Sequence, residues 1–344
     1  MKISTIGLDL AKNVFAVHGI DLEGRVVVKR NLRRAQVLSF FGKLEPCLVG
    51  MEASAGSHYW ARELTQHGHD VRLMPASYVK AYVKRGKTDA GDAEAICEAV
   101  QRPTMRFVPA KTVEQQGLQT LHRSRSLLLR QRTQTINVLR ALCAEFGVIA
   151  AKGRLPLDEL IELVATEDDA RIPTEARVAL TPMLSLLDLL SRSIAALDRQ
   201  IALRNKGSAD SQRLLTIPGI GPLLASALPN SIGDVKRFAS GRDLAAWIGL
   251  TPRPHSSGGK SKLGHISKQG NDYLRRLLVQ GAMSLIRVAR VSKGPVAAWL
   301  RELLARKPAR VAAIALANKI ARIAWAVLTR GEVYRVHINA AKAA

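Results

Sequence analysis

The pattern of hydrophobic and polar positions changes character near residue 110. Before that point, short apolar runs alternate with turn residues, which is typical of β-strands. Three such runs, ISTIGLDL, NVFAVHGID and GRVVVKRNL, follow one another from Ile3 and predict an antiparallel meander with Asp9 near the end of its first strand. A helix, the buried strand PCLVGMEA, a helix over 58–66, a strand over 70–74 and a further helix from Thr88 follow. This order predicts a ribonuclease-H-like α/β domain.

After about Thr112 the pattern becomes that of long helices. Leucines recur at three- and four-residue steps in LQTLHRSRSLLLRQRTQTINVLRALCAEF and in VALTPMLSLLDLLSRSIAALDRQIALR. This spacing favours an antiparallel helical pair or a coiled coil that could also join subunits.

A third region begins near Gln212. Its core PGIGP, between two helical patterns, predicts either a helix-hairpin-helix, whose glycine turn lets backbone N–H groups approach a phosphate, or a plain interhelical turn. A glycine-rich loop, RPHSSGGKSKLGHISKQG, and further helices to about residue 330 complete it. The chain is therefore predicted to be α/β plus all-α, with three domains over 1–110, 111–208 and 209–344.

The charge of the chain narrows the choice of partners. It has 52 Lys and Arg against 28 Asp and Glu, a net charge of +24, and such an excess attracts polyanions by releasing their counterions. Nucleic acid is the leading partner, and a merely cationic surface or a membrane-surface binder is the alternative.

Cys47, Cys97 and Cys143 lie far apart without zinc spacing, so we expect reduced, buried thiols. No long apolar stretch opens the chain, and we expect a cytosolic protein.

Acidic residues of the first domain form the first candidate site. Asp9, Glu52 and Asp89 could each be an ordinary strand-end or first-turn acid. In a ribonuclease-H-like layout, however, these positions meet at one edge of the sheet, and Asp92 follows Asp89 by three residues on the same side of its helix, whereas Glu94 points elsewhere. Converging carboxylates call for a cation, and hard oxygen ligands suit Mg²⁺ or Mn²⁺. We therefore predict a metal site that acts on a phosphodiester.

The serine-containing loop is the second candidate site. Ser256 and Ser257 stand between His255 and the sequence GGK, so a hydroxyl could be presented among cationic groups, either as a nucleophile or as a passive phosphate contact. His255 could act as a base or contact a phosphate. Predicted nucleic-acid contacts are spread over the whole chain: Lys84, Arg85, Lys87, Arg123, Arg125, Arg130, Gly219, Gly221, Arg253, Lys260, Lys262, Lys268, Arg275 and Arg276.

Both halves of the chain resemble one known family. The segments GLDLAKNVF, VGMEAS and KTDAGDA, followed by LLTIPGIGPLLASAL and the long segment from FASGRDLAAWIGLTP to LRRLLVQGA, resemble the DEDD insertion-sequence transposases related to the Piv and MooV DNA invertases. The resemblance extends over nearly the whole chain. It implies a RuvC-like domain with an Asp-Glu-Asp-Asp set, a coiled-coil middle and a C-terminal transposase domain with a nucleophilic serine.

The resemblance also assigns roles to individual residues. It places the acidic set on Asp9, Glu52, Asp89 and Asp92, and the serine on Ser257, with Ser256 as second choice. It implies recombination through a 5′-phosphoserine with Mg²⁺, guidance by a structured bridge RNA that pairs with donor and target DNA, and tetramers built from dimers. The composite site is expected to join domains of two subunits.

Two other functions compete with recombination. One is a metal-dependent, junction-resolving nuclease in which water attacks and the serine loop binds phosphate. The other is a non-catalytic nucleic-acid-binding factor, against which the intact set of four acids argues.

Overall fold

A computed structural model describes residues 2–84, 86, 88–255, 262–289, 291–292 and 294–335. The chain forms two compact units, Met1–Gln116 and Gly117–Ala344. Five residues of the predicted sites lie outside the described residues: Arg85, Lys87, Ser256, Ser257 and Lys260. The predicted division into three domains stays a prediction.

The first unit contains a five-stranded mixed sheet. The strands are β1 (Thr5–Asp9), β2 (Val14–Ile20), β3 (Val26–Arg33), β4 (Leu48–Glu52) and β5 (Asp70–Met74). Their order in the sheet is β3-β2-β1-β4-β5, where β2 is antiparallel to both neighbours and β1, β4 and β5 are parallel. The predicted meander and the two following strands are confirmed, and the topology is compatible with a RuvC-like fold.

Helices cover both faces of this sheet. The helices of the unit are α1 (Val37–Phe41), α2 (Ser57–Gln66), α3 (Ala76–Val79) and α4 (Asp89–Val100). Strand residues alternate between two apolar clusters: Ile6, Leu8, Val49 and Met51 pack with α1 and α2, whereas Met74 packs with α4. This alternation follows from the two-residue period of a strand.

The face of the sheet against α4 is lined with small residues. A Cβ atom at Gly7 would lie 2.1 Å from the carbonyl oxygen of Ala93 and 2.4 Å from the backbone nitrogen of Cys97. A Cβ atom at Gly50 would lie 2.8 Å from that of Val100. Both distances are shorter than real Cβ contacts, so α4 can rest on β1 and β4 only because both positions are glycine.

The second unit is mostly helical. Its helices are α5 (Val113–Ala144, which begins in the first unit), α6 (Leu155–Ala165), α7 (Thr174–Lys206), α8 (Ala209–Leu215), α9 (Pro222–Ile232), α10 (Gly241–Ile248), α11 (Asp272–Val288), α12 (Pro295–Arg306) and α13 (Ala309–Arg330). The main core lies around α9, α10, α11 and α13. By length and composition α7 and α13 could each cross a membrane, which is weak evidence, and the apolar side of α13 packs into this core.

Helices α5 and α7 run antiparallel to each other. Arg125 near the start of α5 pairs with Asp198 near the end of α7, while Leu139 and Leu187 belong to one apolar cluster nearer the opposite ends. The same cluster includes residues of α6, a helix that the sequence pattern did not predict. A coiled coil that joins subunits stays a prediction.

The glycine-rich loop belongs to a short hairpin. Strands β6 (Pro252–Pro254) and β7 (Leu263–Ile266) are antiparallel, and the backbone N–H of His255 donates to the carbonyl of Lys262 over 2.7 Å. This hairpin was not predicted from the sequence. Residues 256–261, which connect its strands, contain both candidate serines.

The three cysteines are free and buried, as predicted. Burial raises the pKa of Cys47 and of Cys97 to about 11. Thiols with such pKa values carry little thiolate at neutral pH and are poor nucleophiles.

We predict that Gly7→Ala lowers the free energy of unfolding by about 1–3 kcal/mol, because the new methyl group overpacks the contact between β1 and α4. Urea unfolding followed by circular dichroism measures the change. Gly117→Ala is the matched control, since a Cβ atom there meets nothing within 4 Å and alanine favours the helix. Equal stability of Gly7→Ala and the wild type would contradict the prediction.

Candidate active site

Two of the predicted carboxylates lie side by side at the end of the sheet. Strands β1 and β4 are parallel, and Leu8 lies opposite Met51. The next residue of each strand is an acid, so Asp9 and Glu52 come next to each other in this register. Neighbouring strands are about 4.8 Å apart. Because side chains alternate along a strand, both carboxylates lie on the side of Gly7 and Gly50, which is the side that carries α4.

The first turn of α4 lies at the same edge. Ala93 and Cys97 lie over Gly7, and the Cys97 thiol is 3.8 Å from the carbonyl oxygen of Thr5, so α4 runs opposite to β1. Asp89 and Asp92 precede these residues and therefore lie toward the end of β1 where Asp9 is located.

Local helix chemistry also favours acids at these two positions. The Thr88 hydroxyl caps α4 by accepting from the backbone N–H of Gly91 over 3.1 Å, which places Asp89 and Asp92 in the first turn. A carboxylate there is stabilised by the helix dipole. Asp89 is exposed, and Asp9, Glu52 and Asp92 are half-buried.

Glu94 of α4 forms an ion pair. It pairs with Lys84, and this hydrogen bond lowers the pKa of Glu94. Lys84, a predicted phosphate contact, is therefore engaged within the protein. His18 of β2 is close enough for the charge of Glu94 to act on it, but burial has the larger effect and lowers the pKa of His18. Its Nδ1 has no hydrogen-bond partner among the described residues.

The four acids have the donor chemistry of a magnesium or manganese site. Carboxylate oxygens are the ligands that these ions prefer. Among the described residues, no three His, Cys, Asp or Glu side chains are grouped closely enough to hold a metal ion. The backbone places the four acids toward one edge of the sheet, and a metal ion held there stays a prediction.

Comparison with known proteins decides the family. Residues 6–146 match the DEDD transposase model of the IS110 group, and residues 211–296 match the model described as "Transposase IS116/IS110/IS902 family". A "Probable family 20 transposase" of Pseudomonas aeruginosa is 51% identical over 97% of this chain and 99% of its own length. The transposase for insertion sequence element IS1328 of Yersinia enterocolitica is 40% identical, over 97% and 99% of the two chains. The chain belongs to the IS110 family of DEDD transposases.

A third relative is the transposase of another insertion sequence. The transposase for insertion sequence element IS1111A of Coxiella burnetii is 39% identical over 97% of this chain and 92% of its own length. The match to residues 6–146 spans all four acids of the transposase, and the match to residues 211–296 spans the hairpin with the candidate serines.

The glycine turn of the transposase packs against its own core. Gly219 has a φ of +87°, and a Cβ atom there would lie 2.9 Å from the Ile320 side chain. Gly281 of α11 approaches so closely that its own Cβ would lie 1.9 Å from the Gly219 carbonyl oxygen. The positive φ and the close packing therefore explain why residue 219 is a glycine. They do not explain Gly221, the N-cap of α9, which has an ordinary φ of −94° and open space where a Cβ would be.

Two of the arginines predicted to contact nucleic acid bind other groups of the transposase instead. The Arg125 side chain is 16% exposed and forms its ion pair with Asp198. Arg275 is 9% exposed, and its guanidinium donates to the carbonyls of Ile248 and Gln269 and to the carboxylate of Asp272. Because burial and internal partners leave little of either guanidinium for a phosphate, we remove both from the set of proposed contacts.

The remaining predicted contacts differ in whether their side chains have partners within the protein. Arg253 is exposed and donates twice to the carbonyl of Ser267, at 3.1 and 2.6 Å. Five further contacts are exposed and form no ion pair among the described residues: Arg123, Arg130, Lys262, Lys268 and Arg276.

A buried polar network, which sequence reasoning missed, joins three helices of the transposase. His122 of α5 is 4% exposed, and its Nδ1 lies 2.9 Å from the hydroxyl of Tyr273, its Nε2 3.0 Å from the hydroxyl of Ser226. These partners are 151 and 104 residues away in the chain, so no local pattern could have revealed them. Burial, assisted by the nearby charge of Arg125, lowers the pKa of His122 to about 4.

We predict that acid destabilises the second unit through His122. The folded protein holds the imidazole neutral, whereas an unfolded histidine has a pKa of about 6.5, so stability falls as the pH drops from about 6.5 to 4, by up to about 3 kcal/mol. Urea unfolding across this pH range measures the slope. His122→Gln, which can still form hydrogen bonds, should flatten it, and exposed His67→Gln should not. An unchanged slope in His122→Gln would contradict the assignment.

Proposed function

We propose that this transposase cuts and rejoins DNA through a covalent 5′-phosphoserine intermediate formed on Ser257. The observation that carries this proposal is the common edge of the sheet at which Asp9 and Glu52 lie in register and α4 begins with two more carboxylates. A set of carboxylates at such an edge suits metal-assisted phosphoryl transfer. The family to which the chain belongs supports DNA as the substrate.

The proposed step conserves phosphoester bonds. The hydroxyl oxygen of Ser257 bonds to phosphorus, its proton passes to a base, and the bond from phosphorus to the 3′ oxygen breaks. The 3′ oxygen takes up a proton and leaves as a free hydroxyl, while the 5′ phosphate stays on the serine. Attack by a 3′ hydroxyl of another strand reverses these changes, so strand exchange needs no energy-supplying cofactor.

The four carboxylates would hold the metal in this scheme. A bound Mg²⁺ or Mn²⁺ would neutralise charge that develops on the phosphate oxygens. Through the cation that they would hold, the carboxylates would determine where along the edge of the sheet a phosphate binds. We further propose a RuvC-like assignment for the first unit, and guidance by a bridge RNA that pairs with donor and target DNA.

Assembly and location complete the proposal. The antiparallel pair α5 and α7 leaves Leu142, Leu186 and Leu189 exposed, and apolar residues along such a pair suit contact with a second copy. We propose dimers that form a tetramer in the active complex, in the bacterial cytosol and at its nucleoid.

We predict a covalent protein–DNA adduct that depends on Ser257. The wild type and Ser256→Ala should form it with Mg²⁺, cognate RNA and junction DNA, and Ser257→Ala should form none. Asp9→Asn should reduce it by about 100-fold or more, because the proposed metal site loses one of its charged ligands. Denaturing gels with labelled DNA measure the adduct.

The same gels separate the competing chemistries. An adduct that vanishes only in Ser256→Ala would move the nucleophile to the neighbouring serine. Cleaved DNA without an adduct in any variant would mean that water attacks, and the junction-resolving nuclease would replace the recombinase.

We also propose that the turn before α9 acts as a helix-hairpin-helix and contacts a DNA phosphate. Gly221→Asp and Gly221→Asn both keep a good N-cap, but only the former adds negative charge. We predict that Gly221→Asp binds duplex DNA several-fold more weakly than Gly221→Asn, as measured by fluorescence anisotropy. Equal affinities would leave the segment as an interhelical turn packed on α11.

A further inference from the structure

A concave cleft lies within the second unit, apart from both candidate catalytic sites. It is formed by the first half of α5, the end of α9 and the start of α11, and it has a volume of about 700 Å³. Three arginines line it: Arg123 and Arg130 of α5 and Arg276 of α11. Pockets of this size hold drug-sized ligands, which corresponds to one or two nucleotides of a single strand.

The cleft has a clear excess of positive charge. All three arginines are exposed, and none has an ion-pair partner among the described residues. The acid of the cleft is Asp272, and its carboxylate pairs with the buried Arg275. The guanidinium groups are therefore available to an anion that enters from solvent.

The spacing of the arginines suits an extended anion. Arg123 and Arg130 are seven residues apart on one face of α5, which corresponds to about 10.5 Å along the axis. A nucleic-acid strand, which repeats its phosphates along its length, can bridge them.

The floor of the cleft provides an aromatic surface held in one orientation. The Tyr273 ring lies under the guanidinium of Arg276, 5.3 Å from it, and its centroid is 5.5 Å from that of His122. The Tyr273 hydroxyl is fixed by its contact with His122, which in turn contacts Ser226. A ring and a guanidinium stacked in this way are the elements with which proteins bind the bases or sugars of single strands.

We propose that this cleft binds one strand of nucleic acid, with Arg123 and Arg130 on successive parts of its phosphate backbone and Arg276 with Tyr273 against a base or sugar. The proposal rests on the proposed function, since it assigns part of the nucleic acid on which the transposase acts to a particular surface. The strand is either RNA or unpaired DNA, which share this backbone chemistry. A duplex is too wide to enter the cleft and would contact only its rim.

Salt-dependent binding tests the proposal on the full-length protein. The test variant is Arg123→Gln/Arg130→Gln, and the matched control is Arg199→Gln/Arg204→Gln, which removes two exposed arginines from α7. Labelled single-stranded RNA, single-stranded DNA and duplex DNA of one sequence serve as probes, and anisotropy gives Kd at several salt concentrations. Circular dichroism confirms that each variant is folded.

The cleft variant should lose about 0.7 per arginine, or about 1.4 in total, from the slope of log K against log salt for a single strand. The control should keep nearly the full slope, and duplex binding should change little in either variant. Loss for RNA alone would identify an RNA strand as the occupant, and loss for DNA alone an unpaired DNA strand. Equal losses in the test and control variants, or a loss confined to duplex DNA, would overturn the proposal.

This test is independent of the chemistry proposed above. Neither arginine belongs to the acidic set or to the serine loop, and binding is measured without cleavage. If single-strand binding depends on the cleft but the protein forms no adduct, the cleft proposal is supported and the phosphoserine intermediate is rejected. If the wild type forms the adduct normally and the cleft variant binds single strands like the control, the phosphoserine is supported and the cleft proposal is rejected.

Discussion

Helix α4 can lie on β1 only because position 7 has no side chain, and the placement of all four acids depends on this contact. With a Cβ atom 2.1 Å from the Ala93 carbonyl oxygen, the helix would have to move away from the strand. Gly50 provides the same clearance for Val100 one strand further along. Since Asp9 and Glu52 follow these two glycines by two residues, strand alternation places them on the helix side. The glycines thus set the distance between the strand acids and the helix acids, although they carry no chemistry themselves.

The positive charge of the chain serves two different purposes. Arg125 and Arg275 use their guanidinium groups to join helices and to satisfy carbonyls, which costs desolvation that internal hydrogen bonds offset. Arg123 and Arg276 lie close to them in sequence and remain exposed. A net charge of +24 therefore indicates a polyanion partner but overstates the number of phosphate contacts. Arginines with internal roles and arginines available to a phosphate can be told apart only by their burial and their partners in the structure.

Local periodicity was sufficient to predict the five strands and the long helices, because each depends on neighbours in the chain. The acidic set stays a prediction, and it depends on the layout of the sheet as well as on the local sequence. The β1–β2–β3 meander is marked by apolar runs, and α5 and α7 by leucine spacing. The features that were missed depend on distant partners or on weak local signals. Strands β6 and β7 contain two prolines and three glycine or polar positions. Helix α6 does carry a local signal that was overlooked, with a proline in its first turn and apolar residues at helical spacing. The His122 network requires residues from three helices, which only the folded chain brings together.

The position of the serine hairpin is determined at its base. A two-stranded hairpin is only marginally stable by itself, so its orientation must come from the surrounding protein. Arg275 provides part of this support, since its guanidinium joins the end of α10 at Ile248 to the segment after β7 at Gln269. Gly270 adds to it, because a Cβ there would lie 1.9 Å from the Trp247 carbonyl oxygen, which shows how closely the two segments pack. Arg253 closes the hairpin through the carbonyl of Ser267. An arginine with internal partners can therefore help to fix the base of this hairpin.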